Sequence, residues 1–482
     1  MVKLIKKFSD IQKEESLRLD VKYHFFQYSK NYYTFEDLFI IKDKQELTNN
    51  DIEGDFLYSE IRNTDSLGTV FPQLVNLEDE NHVTDDLVKK INKGDIQKVT
   101  LNSILIPRVR PNLGKFILVN KKYSDILFTK AFIEISSKSF DNELILYYLL
   151  KSYLKDNLLS VCRIGKGYPT INENDLKKIR FSRELVDSII SDRDLKEELK
   201  KLHANIQVLI EKKNACHIDS IINNSFQKFF NYNFEMFENL KSNHVQTKKF
   251  SAFANNIDLR FSSKFHRIAG EFVYSELIKN SNKIKNVLES VSITGKGISP
   301  KDYDDETGCY YITMANISTW ELDYDNLKTV SKDYEKKNSS KKPKGEKNII
   351  STKVKSGDIL MMRSGEGGIG KVALVTKEIN AIFSDFLILF RFDKSKYISQ
   401  FCYYYMRSKY FQYLIEINKK GLGNNTNIFP NNTNEFPIPN ISLDEQRKIV
   451  LEIEKEIREQ KKIEEEIEKL QKQIFSILEK NL

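Results

Sequence analysis

Two stretches of the chain carry apolar residues at heptad spacing on an otherwise charged background. Over residues 443–478, Ile453, Ile467 and Ile474 fall at position a and Ile449, Ile463, Leu470 and Ile477 at position d. Only the layer of Glu456 and Gln460 interrupts the stripe. Such a seam predicts one long helix that needs a partner helix. Pro437 and Pro439 precede it and Ser442 stands where an N-cap belongs, so the helix should start sharply. The partner is predicted mid-chain, where Leu195, Leu199, Leu202, Ile206 and Leu209 alternate four- and three-residue steps within a helical pattern running over about 183–230. One such run alone would be an amphipathic helix on its own domain's core. Here two of them each follow a stretch of mixed sequence.

Those mixed stretches resemble one another. Leu17-Arg18-Leu19-Asp20-Val21-Lys22-Tyr23-His24 is echoed by Leu259-Arg260-Phe261-Ser262-Ser263-Lys264-Phe265-His266. Ile104-Leu105-Ile106-Pro107-Arg108 is matched by Ile359-Leu360-Met361-Met362-Arg363, and each leads to a Gly-Lys step, Gly114-Lys115 and Gly370-Lys371. Tyr147-Tyr148-Leu149-Leu150-Lys151-Ser152 aligns with Tyr403-Tyr404-Tyr405-Met406-Arg407-Ser408, and Gly165-Lys166-Gly167 with Gly421-Leu422-Gly423. The last three pairs are spaced by 255 or 256 residues, as expected of one module present twice. Within a module, residues 115–120, 127–135, 372–376 and 386–392 predict strands, and 143–154 and 399–415 predict helices. The polar stretch 331–347 predicts a loop or insertion.

The 482 residues, 40% of them hydrophobic, suffice for two or three cores. Net charge is +8, from 76 basic and 68 acidic residues, and the C-terminal helix takes many of the glutamates. The lobes are therefore more basic than the average, which favours a polyanionic partner. Neither an N-terminal apolar segment nor a run of membrane-spanning length is present, so a soluble, cytoplasmic protein without membrane contact is expected. Cys162, Cys216, Cys309 and Cys402 lie far apart, and neither they nor the six histidines show metal-ligand spacing.

Residues 365–371, Gly-Glu-Gly-Gly-Ile-Gly-Lys, fit the opening of a P-loop, but Val372-Ala373-Leu374-Val375 follows instead of Ser or Thr and a helix. A glycine-rich β-turn is the better expectation. Serine-nucleophile, zinc-protease and amino-methyltransferase motifs are absent, and acid-x-Lys pairs do not rise above background. A non-catalytic chain is expected. Candidate DNA contacts are Arg108, Arg110, Lys115, Lys166 and Tyr168 in the first copy, and Arg363, Lys371, Lys419, Lys420, Asn424, Asn425 and Asn427 in the second. Arg and Asn make bidentate contacts to base edges, while Lys holds phosphates. Singly, each could equally be a solvated loop residue.

The combination resembles the specificity subunit of type I restriction-modification systems. The likeness rests on Gly357-Asp358-Ile359-Leu360-Met361-Met362-Arg363-Ser364-Gly365, on Ile369-Gly370-Lys371-Val372-Ala373-Leu374-Val375, on residues 403–408, and on Phe436-Pro437-Ile438-Pro439 leading to Leu443-Asp444-Glu445-Gln446-Arg447-Lys448-Ile449-Val450. The first copy departs from it. Arg180-Phe181-Ser182-Arg183-Glu184-Leu185 replaces the proline pair and Glu-Gln, and Lys93-Gly94-Asp95-Ile96 lies well upstream of Arg108.

The resemblance implies an α+β chain with two similar α/β target-recognition domains, separated by long helices that form an antiparallel coiled coil. The bounds are 1–182 for the first domain, 183–258 for the central helix and connector, 259–440 for the second domain and 441–482 for the C-terminal helix. It also implies no cofactor of the chain's own. The partners would be double-stranded DNA, two methyltransferase subunits and restriction subunits, with S-adenosylmethionine, ATP and magnesium carried by those subunits. A helix of about 36 residues spans roughly 54 Å, more than the roughly 34 Å of one duplex turn. The alternatives are a nuclease or nuclease-methyltransferase component that dimerises by coiled coil, and a coiled-coil adaptor without DNA contact.

Overall fold

The computed structural model describes residues 31–43, 45–47, 52, 54–76, 90, 93–139, 142–165, 168–215, 217–242, 247, 249, 251, 264–304, 308–317, 319–343, 347–365, 368–421 and 426–480. The chain divides into two compact units, Met1–Lys213 with Ile463–Leu482, and Asn214–Lys462. The paired motifs at 17–24 and 259–266 lie outside the described residues, apart from Lys264, Phe265 and His266.

In the first unit, β1 (Tyr32–Thr34), α1 (Phe35–Leu38), β2 (Phe39–Ile41), β3 (Gln45–Glu46), β4 (Asp55–Ser59) and β5 (Gln73–Asn76) come first. β6 (Ile96–Lys98), β7 (Ile104–Pro107), β8 (Ile117–Leu118), β9 (Leu127–Thr129) and β10 (Phe132–Ser137) follow. α2 (Glu143–Val161), β11 (Arg163–Gly165), β12 (Tyr168–Thr170), α3 (Glu173–Leu176) and β13 (Arg180–Ser182) complete the lobe, and α4 (Arg183–Ser191) and α5 (Arg193–Ala215) leave it. Every residue of β7 is buried, as befits an apolar run inside the four-stranded sheet β2-β10-β7-β8.

The second unit opens with α6 (Ile218–Phe230), α7 (Phe234–Ser242) and α8 (Ile268–Ile278). Its lobe contains β14 (Ser281–Lys283), β15 (Ile293–Thr294), β16 (Tyr310–Ile312), β17 (Lys328–Thr329), α9 (Lys332–Asn338), β18 (Ser340–Lys341) and β19 (Ile350–Ser351). Then come β20 (Ile359–Met362), β21 (Val372–Leu374), β22 (Ala381–Phe383), β23 (Leu387–Phe390), α10 (Ser399–Arg407), α11 (Lys409–Asn418), α12 (Pro430–Thr433), β24 (Pro437–Pro439) and α13 (Leu443–Lys480).

The lobes share one topology. β15-β23-β20-β21 repeats the strand order β2-β10-β7-β8. A parallel pair, β4 with β9 and β16 with β22, carries an antiparallel neighbour, β5 or β17, on the same side. Each lobe is closed by an antiparallel pair of its first and last strands, β1 with β13 and β14 with β24. A serine-capped helix follows each closure: the Leu185 amide donates to Ser182 Oγ at 3.4 Å and the Glu445 amide to Ser442 Oγ at 3.3 Å. Arg180-Phe181-Ser182 thus stands where the second copy has its prolines, because strand pairing uses backbone groups that many side chains permit.

Three expectations change. The run 127–135 is two strands, since Lys130 and Ala131 turn the chain from one sheet into the other, with the Lys130 amide donating to Asp95 at 3.2 Å. The stretch 331–347 is not only loop: Ser331 caps α9, whose Tyr334 is buried, and β18 pairs with β19. Among the described residues, the central helical region is interrupted at Asp192, at His217 and at Asn231, whose φ of +53° is left-handed.

Of the predicted seam, Leu195, Leu199, Leu202 and Ile206 are buried in the first unit's core, and Ile210 takes the buried place next to the half-buried Leu209. Ile467, Ile474 and Leu478 of α13 join that core, with Ile463, Leu470 and Ile477 packed against it. Lys213 pairs with Glu464 at 2.9 Å, while His203 and Phe475 both touch the Tyr148 ring, so α5 and this end of α13 run antiparallel. Ile449 and Ile453 belong instead to the second unit's aromatic-rich helical core. Gln460 is buried and Glu456 exposed.

Candidate nucleic-acid interface

Each lobe delivers an arginine at the end of its central apolar strand, and the backbone fixes both in the same way. The Arg108 amide donates to Ala131 O at 2.8 Å and the Arg363 amide to Phe386 O at 3.0 Å. Their carbonyls accept from the Ile171 and Ile428 amides, each at 2.9 Å. Their Nε atoms donate to the turn between the sheets, Arg108 to Lys130 O at 3.1 Å and Arg363 to Asp385 O at 2.6 Å. One donor of each guanidinium is thus spent on positioning.

The remaining donors differ. Arg108 forms a two-pronged pair with Glu173, one prong at 2.8 Å. Arg363 lies over the exposed Phe429 ring, 5.3 Å from its centroid. A basic cluster missed in the sequence surrounds Arg363. Lys341 donates to Thr294 Oγ1 at 2.7 Å and to Thr294 O at 3.0 Å, and Lys296 sits exposed nearby. Burial depresses the Lys341 pKa, and the like charges of Lys296 and Arg363 depress it further, against the attraction of Asp385. Lys296 rides on a loop pinned by tyrosines: Tyr311 Oη donates to Lys296 O at 2.6 Å and Tyr334 Oη to Gly297 O at 2.8 Å. A Cβ at Gly295 would lie 1.8 Å from Phe383 O, so only glycine fits there. Gly295-Lys296-Gly297 was the available signal, but its partner Lys341 lies far along the chain.

Other candidates gather beside the two arginines. Val109 bridges to Thr170 and Ser364 to Asn427, which sets β12 and Asn427 at matching places. Arg110 is exposed, left-handed at φ +51°, and 5.6 Å from the exposed Tyr168 ring. Lys420 and Asn427 exchange backbone hydrogen bonds at 2.7 Å, and Lys419 pairs with Glu416 at 2.6 Å. Lys115 is turned to Ile61 O at 3.3 Å. Lys371 is half-buried just before β21. Lys166, Asn424 and Asn425 lie outside the described residues. The described part of the glycine-rich stretch, residues 368–370, turns into β21 and not into a helix, so it offers no helix N-terminus for phosphate. Gly370, at φ +88°, permits it, and a Cβ there would sit 2.8 Å from Gln412 Oε1.

Among the described residues, no cluster of His, Cys, Asp and Glu could hold a metal, and no helix is long and apolar enough to cross a membrane. Cys309 and Cys402 are buried free thiols, and Cys162 is buried. The arrangement offers cations, exposed aromatic faces and turn amides on one side of each lobe, which suits a polyanion with flat bases.

No protein-family model matches the chain, and no curated protein does. Solved structures similar to it include a chain from a study of complex assembly and conformational transition of the type I R-M system, with 14% identity over 94% of this chain and 98% of that one and a TM-score of 0.34. The HsdS subunit from Thermoanaerobacter tengcongensis has 14% identity over 93% of this chain and 95% of its own, with a TM-score of 0.29. The type I restriction-modification S subunit from M. genitalium has 15% identity over 94% and 95%, with a TM-score of 0.37. At such TM-scores, likeness by itself carries neither fold nor function across to this chain.

Proposed function

We propose that this chain is the non-catalytic DNA-recognition subunit of a type I restriction-modification complex. The observation that carries the reading is the twice-built lobe, with an arginine fixed by the same three backbone contacts at matching places. Two such lobes read the two halves of a split site. Since Arg108 is engaged by Glu173 while Arg363 lies over Phe429 among like charges, the halves differ and the site is asymmetric. Long helices, in an antiparallel coiled coil, set the gap and dock two methyltransferase subunits that methylate adenine with S-adenosylmethionine. Restriction subunits with ATP and magnesium join that complex.

Co-expression with the neighbouring genes, followed by affinity purification and DNA-binding titration, tests this. The expected result is co-purification of a methyltransferase and duplex binding that weakens steeply with salt, as phosphate contacts require. Salt-insensitive or absent DNA binding would favour an adaptor. DNA cleavage by the purified chain alone would favour a nuclease.

A further inference from the structure

Behind residues 65–69 the first unit encloses a cavity of about 40 Å3, walled by α5, Gln471 of α13 and the lobe itself. The space suits one or two atoms the size of water and excludes a nucleotide or sugar. Its polar lining includes Lys151, Thr69 and the side-chain amides of Asn120, Gln207 and Gln471. Lys151, 8% exposed, donates to Ser66 O at 2.9 Å and reaches Tyr147 Oη at 3.4 Å, which leaves one ammonium hydrogen. Thr69 is 3% exposed and its hydroxyl has no partner among the described residues. Tyr148 Oη and His203 Nδ1 share a hydrogen bond at 2.9 Å, and burial holds the His203 ring neutral.

Among the described residues, no carboxylate lines the cavity. The nearest acid, Asp65, spends an oxygen on the amides of its own turn, Leu67 at 2.9 Å and Thr69 at 2.8 Å. A buried ammonium without a carboxylate in that lining favours an anion, since water would leave its charge uncompensated. We propose that the cavity binds a small inorganic monoanion of chloride's size, held by the Lys151 ammonium and the Thr69 hydroxyl. Bound there, it ties the 65–69 turn to the helices of the first unit. This site is independent of DNA recognition.

The test uses the full-length chain without DNA. Sodium chloride or bromide should raise Tm by roughly 2–4 °C over sodium gluconate at equal ionic strength, and the rise should saturate. Thr69→Val and Lys151→Met should each abolish the halide-specific rise; Thr69→Val carries the test if Lys151→Met does not fold. Crystals soaked in bromide should show an anomalous peak within hydrogen-bond distance of Lys151 Nζ. Equal responses to halide and gluconate, a rise that persists in Thr69→Val, or a cavity without bromine would overturn the assignment.

Discussion

Before the strand that delivers its arginine, each lobe makes the same tight turn with different side chains. Gly357, at φ +94°, donates to Val375 O at 2.8 Å; Asn102, at φ +64°, donates to Val119 O at 2.8 Å. Asp358 O and Ser103 O then accept from the Val375 and Val119 amides, again at 2.8 Å. Beyond the backbone the lobes part. The Asp358 carboxylate holds the Lys355 amide at 2.8 Å and the buried Arg391 guanidinium at 2.8 and 2.6 Å, and this bond raises the Arg391 pKa. In the first lobe the corresponding Ser103 hydroxyl is buried without a partner among the described residues, and the matching amide, that of Thr100, is served at 2.7 Å by Glu134 from β10. The turn's backbone is common to both lobes, while the buried polar groups that support it are rerouted.

Removing those supports should separate the lobes. Asp358→Ala strands a buried guanidinium and should cost about 3–5 kcal/mol. Ser103→Ala deletes a hydroxyl that bonds nothing and should cost less than about 1 kcal/mol. Calorimetry of the two variants checks this, and equal losses would break the comparison.

pH should single out the first unit. Burial holds His203 neutral, with its pKa lowered to about 4 from 6.5, so between those values the unfolded chain binds more protons. His203's contribution is therefore intact above pH 6.5 and lost as pH falls toward 4, by up to about 3 kcal/mol. Unfolding of His203→Gln across that range should be correspondingly flatter. The left-handed turn positions give a smaller contrast. Gly357→Ala puts a Cβ 3.0 Å from Ser399 Oγ at φ +94° and should cost about 1–2 kcal/mol. Asn102→Gly should change stability by less than about 0.5 kcal/mol, since glycine accepts the same φ. Smallest in energy is the second lobe's lysine cluster: Lys296→Ala should weaken DNA binding similarly for all sequences and reduce the salt slope by about one. An unchanged slope would remove Lys296 from the interface.

The duplication was legible because matching apolar runs and aromatic helices recur at one spacing. The Asn102 turn was not, since asparagine reaches the left-handed region as glycine does and leaves no Gly-Asp signature. Arg108 and Arg363 were legible at the ends of apolar strands. The Lys296–Lys341 cluster was not, because it exists only once β15 and β18 bring distant residues together. Nor did heptad spacing distinguish the stretch of α13 buried with α5 from the stretch buried in the second unit's aromatic core, since the same apolar stripe serves both.

The most direct test maps methylated adenines genome-wide in cells carrying the chain, lacking it, or carrying it with residues 265–440 exchanged for those of a similar protein. The account predicts a split, asymmetric motif that vanishes on deletion and changes in one half only on exchange. A symmetric motif, or a methylome indifferent to the chain, would contradict it.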